Sequence, residues 1–118
     1  MTGADSTPHL MATTSQKQNG IFALEGEVDL HRAGEIREVL APLLAEKVPR
    51  LLIDMTKVSY IDSSGLALLI ETLQSVLAYK GTFGLFGLGK SIRTIFHVAC
   101  LDQVFKIYPD EAAATVAS

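Results

Sequence analysis

Leu51-Leu52-Ile53, Asp62-Ser63-Ser64-Gly65-Leu66 and the apolar positions Leu69, Ile70, Leu73, Val76 and Leu77 form the stretch that decides the fold. An unbroken apolar run as short as Leu51-Leu52-Ile53 suits a central strand buried on both faces. The later positions recur at intervals of three and four, the signature of one apolar helix face. Residues 55–61 between them read as a loop, and Lys80-Gly81 supplies a C-terminal glycine signal that stops the helix. A buried strand passing through a loop into an amphipathic helix is half of a layered α/β unit.

Working towards the N-terminus, Pro49 ends an earlier helical stretch whose apolar positions are Ile36, Val39, Leu40, Leu43 and Leu44, with Asp29 able to cap its start. Before it, Phe22, Leu24 and Val28 share one face at period two, interrupted by Gly26. Asn19-Gly20 is a hairpin-type turn, and residues 9–15 are a weak strand candidate that would pair antiparallel across it. Residues 1–8, small and polar with Pro8, read as a flexible tail. Towards the C-terminus, residues 82–88 read as a strand containing Gly84 and Gly87, and Ile92, Ile95, Phe96 and Ala99 mark a short helix. Residues 104–108 read as a last strand, and Pro109 can open a final helix. The expectation is an α/β fold: one mixed sheet of about five strands flanked by about four helices, in a single domain over residues 9–118.

Composition sets the outer bounds. The chain has 118 residues, 48% hydrophobic and 19% charged, with 10 basic against 13 acidic side chains and a net charge of -3. A single domain of this size buries roughly 65% of its unfolded surface and folds without staples. One cysteine, Cys100, excludes an intramolecular disulfide, and no Cys/His cluster has zinc spacing, so no metal or cofactor is expected. The acidic balance gives no basic stripe for nucleic acid. No apolar run approaches the roughly 20 residues that span a bilayer, and Met1-Thr2-Gly3-Ala4-Asp5 lacks a signal peptide's basic start. A cytoplasmic protein without membrane insertion is the expectation.

Ser63-Ser64 is the first candidate site. Its plain reading is a helix cap. Its functional reading uses the same place: a hydroxyl at a helix start is accessible to an enzyme, and unpaired N–H groups there tolerate a phosphate. Gly65 is expected to leave the backbone uncrowded behind it. Asp62, and Asp29 at another helix start, would repel a group carrying about -1.5 to -2 charges, which suits a switch better than a phosphate store.

Gly84-Leu85-Phe86-Gly87-Leu88-Gly89-Lys90-Ser91 matches the P-loop pattern in full, but no apolar strand has room to end before Gly84. The plain reading, a glycine-containing strand leading into a helix, is preferred, with weak anion contact at Lys90 left open. A serine hydrolase built on Ser63, His31 and Asp29 is the third candidate. Ile61 stands where the nucleophile elbow requires glycine, and His31 reads as exposed helix surface. His97 reads as a helix residue bordering the core or solvent, and Cys100 as a small apolar filler. No enzyme activity is expected.

Gly26-Glu27-Val28-Asp29-Leu30, Leu51-Leu52-Ile53-Asp54-Met55 and the run from Val58-Ser59-Tyr60 through Ile61-Asp62-Ser63-Ser64-Gly65-Leu66 resemble the STAS domains of bacterial anti-sigma factor antagonists. Gly81, Ile95-Phe96 and Leu101-Asp102 match as well, so the resemblance runs from about residue 20 to 114. It implies a STAS-like fold and phosphorylation-controlled partner switching. Ser63 takes the position of the serine phosphorylated by an anti-sigma factor serine kinase and restored by a PP2C-type phosphatase. Asp29, Asp62, Ser64 and Gly65 join Ser63 on the implied partner surface. The unphosphorylated form would bind the kinase and release a sigma factor. The alternative that the resemblance allows is an adaptor subunit of a lipid-trafficking ABC transporter. Ala67, Lys57 and Ala99-Cys100-Leu101 depart from the family pattern; the last stands where a small residue, glycine and leucine are common.

Overall fold

Alternation of short apolar runs with helix-period segments produces the expected layers. The computed structural model describes residues 14–16 and 20–117. In chain order the elements are β1 (Thr14–Gln16), β2 (Ile21–Val28), α1 (Leu30–Ala45), β3 (Arg50–Ile61), α2 (Ser63–Ala78), β4 (Thr82–Phe86), α3 (Lys90–Val98), a 3-10 turn (Leu101–Gln103), β5 (Ile107–Tyr108) and α4 (Glu111–Ala117). The five strands form one sheet in the order β1-β2-β3-β4-β5. β1 runs antiparallel to β2, with Thr14 opposite Leu24, and the remaining neighbours are parallel. The expected mixed sheet and four α-helices are therefore present. The N-terminal tail over 1–8 and the first part of the strand read at 9–15 lie outside the described residues.

Side-chain alternation gives the sheet two different faces. Phe22, Leu24, Leu51, Ile53, Phe83 and Leu85 point into the main core with Ile36 and Leu40 of α1, Leu69 and Val76 of α2, and Ile92 and Phe96 of α3. Phe105 joins them, its ring edge-on to Phe96 at 5.7 Å between centroids. Ile21, Leu52 and Phe86 point the other way and pack with Ala114 of α4. One short helix thus covers the second face, held there in part by Arg50, whose guanidinium donates to the Thr115 carbonyl at 3.3 Å. Among the described residues no helix is long and apolar enough to cross a membrane.

Three sequence expectations are corrected. Residues 55–61 are strand, not loop: β2 pairs with β3 up to Val28 opposite Ile61. Register shifts between Ala23 and Glu25 and again between Gly26 and Glu27 insert extra residues into β3. The buried positions Met55, Val58 and Ile61 therefore fall at period three, and the alternation that marks a strand is lost. The last strand is only Ile107–Tyr108, because Leu101–Gln103 winds into a 3-10 turn and Phe105 dives into the core. Cys100 is exposed, not an apolar filler.

Cys100 belongs instead to a common device at the helix ends. Lys47, Lys80 and Cys100 all take left-handed backbone, with φ of 54°, 67° and 61°. After α1, Lys47 N–H donates to Leu44 O and Val48 N–H to Leu43 O; after α2, Lys80 N–H donates to Leu77 O and Gly81 N–H to Val76 O. These paired bonds satisfy the last carbonyls and stop each helix. The stop after α1 therefore precedes Pro49, and the stop after α2 uses Lys80 in the conformation that glycine favours. Gly81 serves close packing, since a Cβ there would lie 2.7 Å from the Tyr79 ring and 3.1 Å from Pro49 O. Tyr79 in turn donates its hydroxyl to Val48 O at 2.7 Å, and burial pushes its pKa up.

Candidate functional site

In a sheet of parallel strands every strand ends, and every following helix begins, along one rim, where ligands and partners are usually met. Here the rim is stepped. β4 pairs with β3 only as far as Asp54 opposite Phe86, whereas β2 accompanies β3 to Ile61. The far halves of β2 and β3 thus form a lip beyond β4, and α1 and α2 start side by side at its tip.

The tip is built around two aspartates. Asp29 is the N-cap of α1, and its Oδ1 accepts from the Arg32 N–H at 3.2 Å. Asp62 is the N-cap of α2, and its Oδ1 accepts from the Gly65 N–H at 3.0 Å. The second oxygen of Asp62 accepts from the Leu30 N–H, the first residue of α1, at 3.2 Å. Its own N–H donates to Val28 O at 3.3 Å. One carboxylate therefore caps its own helix and ties down the neighbouring one. Each such bond satisfies a donor the helix itself cannot pair, and the negative charge sits favourably against two positive helix ends.

Gly65 makes this closeness possible. A Cβ at Gly65 would lie 2.3 Å from Val28 O and 2.7 Å from the Ile61 side chain. The expectation of an uncrowded backbone at Gly65 is therefore reversed. It is where the first turn of α2 presses against the end of β2, so only a residue without a side chain fits.

Ser63, the first residue of α2, is exposed, and Ser64 beside it is half-buried. The structure thus brings Asp29, Asp62, Ser63, Ser64 and Gly65 together, with one hydroxyl facing solvent in an acidic setting. It does not assemble the other two candidates. His31 is exposed on α1, no hydrogen bond joins it to Ser63 among the described residues, and Asp29 is engaged by its own helix. Gly84 lies inside β4 and Lys90 already begins α3, which leaves only residues 87–89 as loop, too short to wrap a phosphate.

Two residues of the site were not singled out by the sequence reading. Leu30 is 67% exposed and Tyr60 48% exposed, both large and apolar for such positions. Leu30 sits where its N–H meets Asp62, and Tyr60 pairs with Glu27 on the lip. The signal for Leu30 is its place outside the apolar helix period, directly after the cap. Tyr60 lay in the segment read as loop.

With this geometry in view, the comparisons with known proteins are direct. The family model described as STAS domain matches residues 11–114. The chain belongs to the STAS domain family. The domain is 29% identical over 105 residues to the anti-sigma-F factor antagonist RsfB of Mycobacterium tuberculosis, covering 87% of this chain and 85% of the relative. It is 30% identical over 82 residues to an anti-sigma-B factor antagonist of Listeria monocytogenes, covering 70% and 72%. The crystal structure of an anti-sigma factor antagonist from Mycobacterium paratuberculosis matches with a TM-score of 0.80 at 29% identity, over 89% of this chain and 92% of that one. The STAS fold expected from the sequence is thereby established.

Proposed function

We propose that this STAS domain is an anti-sigma factor antagonist that works by binding, without catalysis, and is switched by phosphorylation of Ser63. The observation that carries the reading is the exposed Ser63 hydroxyl at the start of α2, beside an Asp62 carboxylate whose two oxygens are already engaged. Relatives named as antagonists of anti-sigma factors support the same partner class. In the unphosphorylated form, the tip with Asp29, Asp62, Ser63, Ser64 and Gly65 meets an anti-sigma factor serine kinase, and Leu30 and Tyr60 add apolar contact at its edge. The complex keeps the anti-sigma factor from its sigma factor. The kinase and a PP2C-type phosphatase, all cytoplasmic, then set the state of Ser63.

The electrostatics favour a reversible signal. Gly65 N–H is held by Asp62, and Leu66 N–H donates to the Asp62 carbonyl. A phosphate on Ser63 therefore finds few free helix N–H groups, and it stands next to a carboxylate. Burying that like-charge pair in an interface costs several kcal/mol, and about 2.7 kcal/mol already weakens a complex a hundredfold.

Titration calorimetry of the cognate anti-sigma factor against wild-type, Ser63→Ala and Ser63→Glu protein tests this. Ser63→Ala should bind about as tightly as wild type, and Ser63→Glu at least tenfold more weakly. Equal binding by Ser63→Glu would overturn the switch, and no binding by unphosphorylated wild type would overturn the partner class.

A further inference from the structure

Helix α3 presents Lys90, Arg93, Thr94 and His97 along one exposed face, at the spacing that stacks side chains on successive turns. Its opposite face anchors the helix through buried Ile92 and Phe96. The exposed face forms one wall of an open groove of about 790 Å³ whose lining also includes Asp102 and Ile107. Past Arg93 and Ile107 the groove continues into a smaller cleft of about 180 Å³ lined by Leu88, Tyr108 and Pro109. Asp102 is engaged by His97, its Oδ2 lying 2.9 Å from Nδ1. Lys90 and Arg93 make no ion pair among the described residues. A chain of net charge -3 thus keeps two uncompensated cations, one helical turn apart, at the mouth of an apolar cleft.

We propose that this groove binds an organic phosphate of the nucleotide class, with its phosphates on Lys90 and Arg93 and its ring against Ile107 and Tyr108. Arginine offers a planar fork matched to phosphate oxygens, and lysine a mobile point charge beside it. Tyr108 and Pro109 supply the flat apolar surface that a ring needs. The volume falls within the roughly 300–1,000 Å³ of small-molecule sites. The site binds and does not hydrolyse, since the three-residue connection over 87–89 cannot enclose a triphosphate. It uses none of the residues at the Ser63 tip, so it stands or falls apart from the antagonist reading.

The test is a titration of isotope-labelled full-length protein with ATP, GTP and pyrophosphate, followed by amide chemical shifts. Saturable shifts are expected at Arg93, Thr94, Ile107 and Tyr108. At least one nucleotide should bind more tightly than pyrophosphate, and Lys90→Ala with Arg93→Ala should weaken it about tenfold or more, roughly 1.4 kcal/mol. Both side chains are exposed, so an unchanged amide spectrum of the free double variant verifies its fold. The proposal is overturned if no probe saturates by about 10 mM, a Kd weaker than about -2.7 kcal/mol, if the shifts cluster at Ser63, if pyrophosphate binds as well as either nucleotide, or if the double variant binds unchanged.

Discussion

The starts of α2 and α3 are made by the same chain logic and end with opposite chemistry. Each follows a parallel strand after a short connection on the sheet's rim. At α2 the cap is Asp62, with a second carboxylate, Asp29, capping the helix beside it. At α3 the cap is Gly89, which makes no side-chain bond, and the residues that follow on the exposed face are Lys90 and Arg93. A carboxylate that permanently satisfies the helix leaves the neighbouring hydroxyl free and makes an added phosphate unwelcome. At that end phosphate acts as a signal. Cations on an open groove do the reverse, and at that end phosphate is a ligand to hold.

Substitutions can break or sharpen this contrast. The largest effect is expected at Gly65. Gly65→Ala forces a Cβ against Val28 O and should cost about 3 kcal/mol in chemical denaturation, whereas Gly89→Ala, with open space around it, should cost well under about 1 kcal/mol. Next comes the pair of caps. Asp62→Ala removes two bonds and should cost about 2 kcal/mol, against about 1 kcal/mol for Asp29→Ala, which removes one. Equal losses would mean that the tie from Asp62 to Leu30 contributes nothing. Cys100→Gly relieves a left-handed backbone and should stabilise by about 1 kcal/mol, raising the thermal midpoint. The smallest change is expected from Gly89→Ser, which gives α3 the side-chain cap it lacks and should stabilise by a few tenths of about 1 kcal/mol.

Much of this molecule is legible in the sequence where a local signal and the tertiary outcome agree. The caps at Asp29 and Asp62, the buried run Leu51-Leu52-Ile53 and the helical periods of α1 and α2 are of this kind. The second half of β3 was hidden because bulges destroy its alternation. The helix stops were misplaced because Lys47, Lys80 and Cys100 occupy a backbone region that sequence rules assign to glycine. Within the candidate site, the residue types were visible but their mutual support was not. That Asp62 reaches Leu30, 32 positions away, and that Gly65 is wedged against Val28 are facts of packing between elements. The apolar edge at Tyr60 was invisible for the same reason as its strand.

Everything functional at the α2 start depends on a single solvent-facing oxygen. Its most direct test is incubation of the protein with its anti-sigma factor kinase and ATP, followed by mass-spectrometric mapping of the modified residue. Stoichiometric phosphate on Ser63, abolished by Ser63→Ala, is the predicted result. Undiminished transfer to the Ser63→Ala protein, with the label on half-buried Ser64 or elsewhere, would contradict it.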